Sequence, residues 1–218
     1  MKISLRAVVI FNFLFLFCSQ IIQAQLFKSW GLKVGINSSG VSIQPKIFDT
    51  NRRTGISAGI FAELINSPYF SFITGVDYLQ RGFIEEMAEM NNNGDFIQQI
   101  EANTRLDYIS IPFCAKIQMP LDGVTPYIVA GPRIDFLINR SKGVFRFSSA
   151  TINSELASNY SSQDVGGTIG FGIETDQLLA LPVLLEVRYG FDIASSFEAT
   201  ALEAYNNAVD IVLGIKFK

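Results

Sequence analysis

Apolar and polar residues alternate along a series of short stretches in this chain, and the connections between them run long, short, long, short. A period of two places every second side chain on one side of a sheet. Such stretches recur near residues 29–37, 54–65, 70–81, 105–118, 125–138, 164–175, 181–192 and 207–218, which predicts eight strands. Residues 38–53, 82–104, 139–163 and 193–206 form long polar connections, whereas 66–69, 119–124 and 176–180 are short. The short ones carry turn residues: Asn66-Ser67-Pro68, Pro120-Leu121-Asp122-Gly123 and Asp176-Gln177. A soluble sandwich has no reason to gather its long loops at one end. Barrels of the outer membrane do so, with short periplasmic turns and long external loops. The expected fold is all-β: an eight-stranded antiparallel up-and-down transmembrane β-barrel with both termini on the short-turn side.

The predicted strands average about 12 residues, slightly more than the ~9–11 a tilted strand needs to cross the hydrocarbon layer. Their alternation is clearest in four of them. Ile109, Ile111, Phe113, Ala115 and Ile117 share one face, opposite Tyr108, Ser110, Pro112, Cys114 and Lys116. The sets beginning at Val183, Val209 and Ile56 repeat the pattern, with Ser57, Gly59, Phe61 and Glu63 opposite the last. In a soluble barrel the apolar set would point inward; in a membrane barrel it meets lipid. Trp30, Phe70, Phe72 and Phe217 fall near the short-turn ends of that set, and Tyr78, Phe136 and Phe191 near the long-loop ends. Two aromatic bands of this kind match interfacial girdles.

The opposite parity collects the charges: Lys33, Arg81, Lys116, Arg133, Arg188 and Lys216 against Glu63, Asp77, Asp135, Glu174, Glu186 and Asp210. Six of each sign give neutrality. An eight-stranded barrel is only wide enough for side chains to fill it, and buried charges must be paired. These twelve residues predict a lumen packed with ion pairs instead of an open pore or an ion path. Gly31, Gly35, Gly59, Gly75, Gly131, Gly170, Gly172, Gly190 and Gly214 lie on the same side and leave room for the lysine and arginine stems.

At the N-terminus, Lys2 and Arg6 precede an apolar run from Ala7 to Phe17, and Ala24 offers a small residue for cleavage. Residues 1–24 are read as a signal peptide, and 25–218 as the outer-membrane barrel domain. Phe17, just before Cys18, does not suit a lipoprotein signal, which places a small residue there, so Cys18 is expected to leave with the leader. The remaining 194 of the 218 residues hold 15 basic and 20 acidic side chains, a net charge of −5 with no basic patch, which speaks against nucleic acid as a partner. Beyond Ala24 no apolar run approaches the ~20 residues of a spanning helix, so a membrane crossing would be made by strands.

The chain has no histidine. Ser-His-Asp, Cys-His and His-ligated metal sites are thereby excluded, and no catalytic residue, cofactor or metal site is expected. The run Gly166-Gly167-Thr168-Ile169-Gly170-Phe171-Gly172 lacks the Lys-Ser/Thr and helix of a phosphate loop and reads as strand glycines. Cys114, on the inward parity, reads as a small buried filler. Within 82–104 lie Glu85, Glu86, Glu89, Asp95 and Glu101 with no basic residue after Arg81 until Arg105. Their spacing is not that of a calcium loop, so the segment reads as a solvated, mobile external loop turned at Asn93-Gly94. Val144, Phe145 and Phe147 in the third long connection leave two readings open, an extension of the hairpin above the membrane or a partner-binding edge.

Several pieces together resemble a known family. Gly31-Leu32-Lys33-Val34-Gly35-Ile36-Asn37, Tyr78-Leu79-Gln80-Arg81-Gly82, Tyr108-Ile109-Ser110-Ile111-Pro112, Pro126-Tyr127-Ile128-Val129-Ala130-Gly131-Pro132, Gly170-Phe171-Gly172-Ile173-Glu174 and Glu186-Val187-Arg188-Tyr189 are similar in order and spacing to the PorT-like outer-membrane β-barrel proteins of Bacteroidota. The resemblance implies an eight-stranded barrel over the whole mature chain. The founding member of that family is tied to secretion of proteins across the outer membrane, a role that no residue here marks.

The residues thus predict a small, non-enzymatic integral barrel of the outer membrane of a Gram-negative bacterium. Its partners would be membrane lipid and, through the long loops, another envelope protein or a surface ligand. Two alternatives accompany this reading: an accessory of outer-membrane transport or protein secretion, and a soluble periplasmic ligand-binding barrel with the apolar parity inside.

Overall fold

The computed structural model describes residues 27–45, 50–91, 93–147, 151–153, 160–176, 181–197 and 203–217. The expected leader, 1–24, lies outside them. The strands are β1 (Phe27–Gln44), β2 (Thr50–Leu64), β3 (Phe70–Met90), β4 (Phe96–Gln118), β5 (Thr125–Ser141), β6 (Val144–Arg146), β7 (Thr151–Asn153), β8 (Gln163–Thr175), β9 (Val183–Asp192) and β10 (Glu203–Phe217). Among the described residues, eight of them close a ring in the order β1-β10-β9-β8-β5-β4-β3-β2, and β6 pairs only with β7. Every ladder is antiparallel, and β1 closes on β10 from Trp30↔Phe217 to Gln44↔Glu203. Closure leaves no open sheet edge at membrane depth, which is the condition for a strand-built membrane crossing.

The ring is apolar outside and polar inside. Ile111, Phe113, Ile128, Ile169, Leu185 and Ile211 all point away from the lumen, and most are about half exposed, as with Phe113 at 51%. This orientation is the reverse of a soluble ligand-binding barrel, so that alternative falls. The apolar belt covers 30–36, 56–64, 70–78, 109–117, 128–136, 165–173, 183–191 and 209–217, roughly the ~9 residues a tilted strand needs. Ser38, Thr54, Gln80, Asn139, Gln163 and Asn207 follow it on the outer side. At the short-turn rim Trp30 stacks on Phe217 with ring centroids 4.5 Å apart, and at the other rim Tyr189 stacks on Phe191 at 6.0 Å.

The strands run further outward than the alternation indicated. Residues 82–104 are not a mobile loop: β3 and β4 continue as a hairpin from Gly82↔Arg105 to Met90↔Phe96. Beyond the membrane the β6–β7 hairpin covers one face of this sheet at Ile100 and Ala102, and Gln98 bonds Glu89 across the ladder, yet polar residues stand on both faces, so no apolar/polar alternation marks the extension. The tip turns as expected at Gly94, with φ +86°. Asn91 Oδ1 accepts from the amides of Asn93 and Asp95, each at 2.9 Å. In the first connection β1 extends to Gln44 and β2 starts at Thr50, leaving 46–49 outside the described residues. The third holds the separate β6–β7 hairpin, whose Phe145 packs on Ile100 and Ala102 of β4. In the fourth, β10 already begins at Glu203, and Phe197 forms an isolated bridge with Tyr160.

Candidate functional site in the lumen and its outer mouth

Inward-pointing residues form alternating polar and apolar tiers. Lowest, near the periplasmic turns, Glu63 is fully buried and accepts from Ser71 Oγ at 2.6 Å and Lys28 Nζ at 2.7 Å. Lys216 Nζ bonds Glu63 and stands 2.9 Å from Glu174 Oε2. Lys116 pairs with Glu174 and lies 3.4 Å from Glu63. Three ammonium groups thus share two carboxylates drawn from β2 and β8.

Above this cluster lies an apolar layer of Phe61, Ile73, Cys114, Tyr127, Val129 and Leu184. Lys116 Nζ sits 4.3 Å from the Tyr127 ring centroid, and the Tyr127 hydroxyl donates to Glu186 at 2.8 Å. The small residues make room for this layer as well as for charged stems. A Cβ on Gly31 would come within 2.5 Å of the Phe61 ring, and one on Gly172 within 2.4 Å of the Tyr127 ring. Cys114 is a free, buried thiol in this layer.

The central tier is charged. Lys33 pairs with Asp77 at 2.8 Å, Arg188 with Glu186 and, at 3.9 Å, with Asp77. Arg81 meets Asp135 at 2.8 Å; Arg133 meets Asp135 at 3.1 Å and Asp192 at 2.7 Å. Asp210 stands in the field of Arg81, Arg188 and Arg133.

A second apolar cluster closes the outer mouth, built on Phe83, Leu106, Tyr108, Tyr160, Phe197 and Ala204. Tyr160 and Phe197 reach it from the third and fourth connections. Tyr160 stacks on Phe83 at 6.0 Å and meets Phe197 edge-on at 4.9 Å. The Tyr160 hydroxyl donates to Asn206 Oδ1 at 3.2 Å. Beneath it, Asp192 accepts from Ser196 Oγ at 2.7 Å and the Asn206 amide at 2.9 Å. Asp164, one residue outside the belt of β8, is also buried here. Burial, together with the charge of Asp192, pushes its carboxyl up to about 6.

All twelve sequence-predicted charges point into the ring: Glu174 and Arg188 are half-buried, and Lys33, Glu63, Asp77, Arg81, Lys116, Arg133, Asp135, Glu186, Asp210 and Lys216 are buried. They do not form one continuous network. Lys116, Lys216, Glu63 and Glu174 are gathered below the Phe61 layer, and the rest at or above it. Sequence reasoning missed Lys28, Asp164 and Asp192 in the charge set, and it missed both apolar tiers. Parity held a signal for the lower one, since Phe61 and Cys114 fall on the inward side of their strands. No period could place Tyr160 or Phe197, which lie outside the barrel strands. Gly166–Gly172 runs inside β8 with no phosphate-loop geometry. Among the described residues no group of three or more His, Cys, Asp or Glu is placed to hold a metal.

Residues 23–198 match the family described as outer membrane protein beta-barrel domain, over most of the chain. The chain belongs to that family. Membership places this outer-membrane barrel in the envelope, in agreement with its apolar belt. Among solved structures it is similar to Ail, the attachment invasion locus protein of Yersinia pestis, at 11% identity and TM-score 0.44, covering 87% of this chain and 98% of that one. It is also similar to the outer membrane protein OprG from Pseudomonas aeruginosa, at 10% identity and TM-score 0.43, covering 89% and 98%. No curated protein matches it in sequence.

Proposed function

We propose that this outer-membrane barrel is a non-enzymatic surface protein of the PorT-like kind, whose lumen is a structural filling and whose working surface is external. The observation that carries this reading is the pair of apolar tiers, one around Phe61 and Leu184 and the other around Phe83 and Tyr160, bracketing the central charges. A solute would have to displace both, and the eight-stranded ring is too narrow to let side chains retreat. The charged lumen is read as the element that fixes ring closure, because Glu63 and Glu174 tie together β1, β4 and β10.

Outside, the β3–β4 hairpin raises an acidic sheet beyond the belt, with Met90 and Phe96 exposed at its tip. A photo-crosslinking residue at Ala88 or Gln99, introduced in intact cells, should give discrete protein or glycan adducts that are missing when the probe stands at Ile169 in the lipid belt. Equal patterns at the three positions would remove the surface-interaction reading. The secretion-accessory reading predicts adducts with periplasmic partners instead, from probes at the short turns such as Asp122.

A further inference from the structure

Two consecutive arginines of β2, Arg52 and Arg53, both turn to the outer side of the barrel. A strict period of two would send them to opposite faces. The β2–β3 register is irregular between Arg52 and Ser57, and a bulge of this kind re-aims a side chain. From there the two spread apart. Arg52 crosses β1: its Nε donates to Ser38 Oγ at 3.0 Å, its Nη2 to the Ser38 carbonyl, and its Nη1 to Asn207 Oδ1 on β10 at 2.6 Å. Arg53 crosses β3: its Nε donates to Asn103 Oδ1 on β4 at 2.8 Å and its Nη2 to Gln80 Oε1 at 3.4 Å. Glycines clear both paths, since a Cβ on Gly40 would stand 3.4 Å from Arg52 Cγ and one on Gly82 3.1 Å from Arg53 Cδ. Neutral oxygens thus hold both guanidinium groups against the wall and leave their charge standing, whereas the cations of the lumen meet carboxylates.

The two groups lie level with Ser38 and Gln80, the first outward residues past the apolar belt, which ends at Ile36 and Tyr78 on those strands. Two residues of tilted strand reach about 5 Å beyond the hydrocarbon, into the headgroup layer. We propose that Arg52 and Arg53 form a binding site for the phosphate groups of an outer-leaflet glycolipid. A guanidinium suits this place because its planar donor fork can keep a neutral side-chain oxygen on one edge and take phosphate oxygens on another. A lipid-borne phosphate fits better than a free one, because the site opens beside the belt, where acyl chains anchor the headgroup. Arg105, opposite Gly82 on β4, adds a third cation, although Asp107 holds it at 3.2 Å. Glu86 and Glu101 face each other further out on the hairpin, so the positive field lies on the belt side.

The test is native mass spectrometry of the folded barrel in neutral detergent, titrated with diphosphoryl lipid A and with the same lipid stripped of its phosphates. The phosphorylated form should bind about tenfold tighter or more. Arg52→Gln with Arg53→Gln should weaken it about 20-fold, from roughly fivefold for each basic side chain at a lipid surface. Lys142→Gln with Arg146→Gln removes the same charge further from the belt and should change binding by less than about twofold. Equal affinity of the wild-type protein for the two lipids would overturn the proposal, as would equal weakening by the two double variants, which would mean a diffuse charge effect. Competition by millimolar inorganic pyrophosphate would overturn the lipid source and mean a free-phosphate site. The wild-type comparison needs no variant, so an Arg52→Gln/Arg53→Gln protein that loses its heat-dependent gel shift does not shelter the idea. Crosslinking at Ala88 and Gln99 tests the surface-partner reading separately.

Discussion

Lys216 on β10 stands 2.9 Å from Glu174 on β8, with β9 between them in the ring, and the same ammonium bonds Glu63 on β2, across β1. One side chain thereby links both flanks of the seam where the first and last strands meet. The seam pairs the first barrel strand with the last, so its ladder closes the longest loop in the ring.

Removing one partner of this cluster should therefore be costly. Glu63→Gln leaves Lys28, Lys116 and Lys216 sharing Glu174, and stripping one member from a buried ion cluster typically costs about 3–5 kcal/mol. Urea titration of the barrel refolded in lipid should show a loss of that order. A loss below about 1 kcal/mol would mean the lysines find water through the periplasmic mouth.

The lid makes a separate prediction. Tyr160→Ala with Phe197→Ala removes the aromatic contacts that hold the third and fourth connections in the mouth. Protease added to intact cells should then cut those connections at least tenfold faster, while the membrane-embedded strands stay protected. Unchanged cleavage would show that the connections are held by other contacts.

A pH effect follows from Asp164. Its folded-state value, about 6, lies above the ordinary 3.8, with Asp192, Tyr108, Ser196 and Asp135 facing it. A carboxyl raised on folding favours the protonated form. Its penalty is therefore absent below pH ~4, appears as pH climbs through the interval to 6 and is complete above it, at most about 3 kcal/mol. Asp164→Asn should flatten stability against pH between 4 and 6 and make the protein more stable than wild type at pH 8. Overlapping wild-type and variant curves would contradict this.

Lipid facing is tested by depth. Ile169→Arg, mid-belt on β8, should cost about 2–4 kcal/mol, whereas Gln163→Arg at the rim should cost about 1 or less. Both are read from refolding yields scored by the heat-dependent gel shift. Equal costs would mean that β8 does not cross lipid in this register.

Strand number, ring topology and orientation were legible in the sequence because lipid imposes a strict period of two on the belt. The β3–β4 extension was not, because the face that the β6–β7 hairpin covers at Ile100 and Ala102 carries Glu85, Met87 and Glu89 on β3, against Ile84, Glu86 and Ala88 on the other, so neither face reads as apolar. The twelve inward charges could be picked out by parity alone, but their partition into two tiers could not. That partition depends on the stagger between neighbouring strands, which sets Phe61 opposite Gly31 and Gly75 and so places a ring between Lys216 and Lys33. Tyr160 and Phe197 enter the lumen from irregular backbone, where no period exists to read.

The sealed lumen is the central claim, and ion current across a planar bilayer holding the purified wild-type barrel tests it most directly. The tiers around Phe61 and Tyr160 predict a flat baseline at all voltages the bilayer tolerates. Reproducible unitary current steps from the folded protein would contradict the account and return the charged lumen to the role of a conduction path.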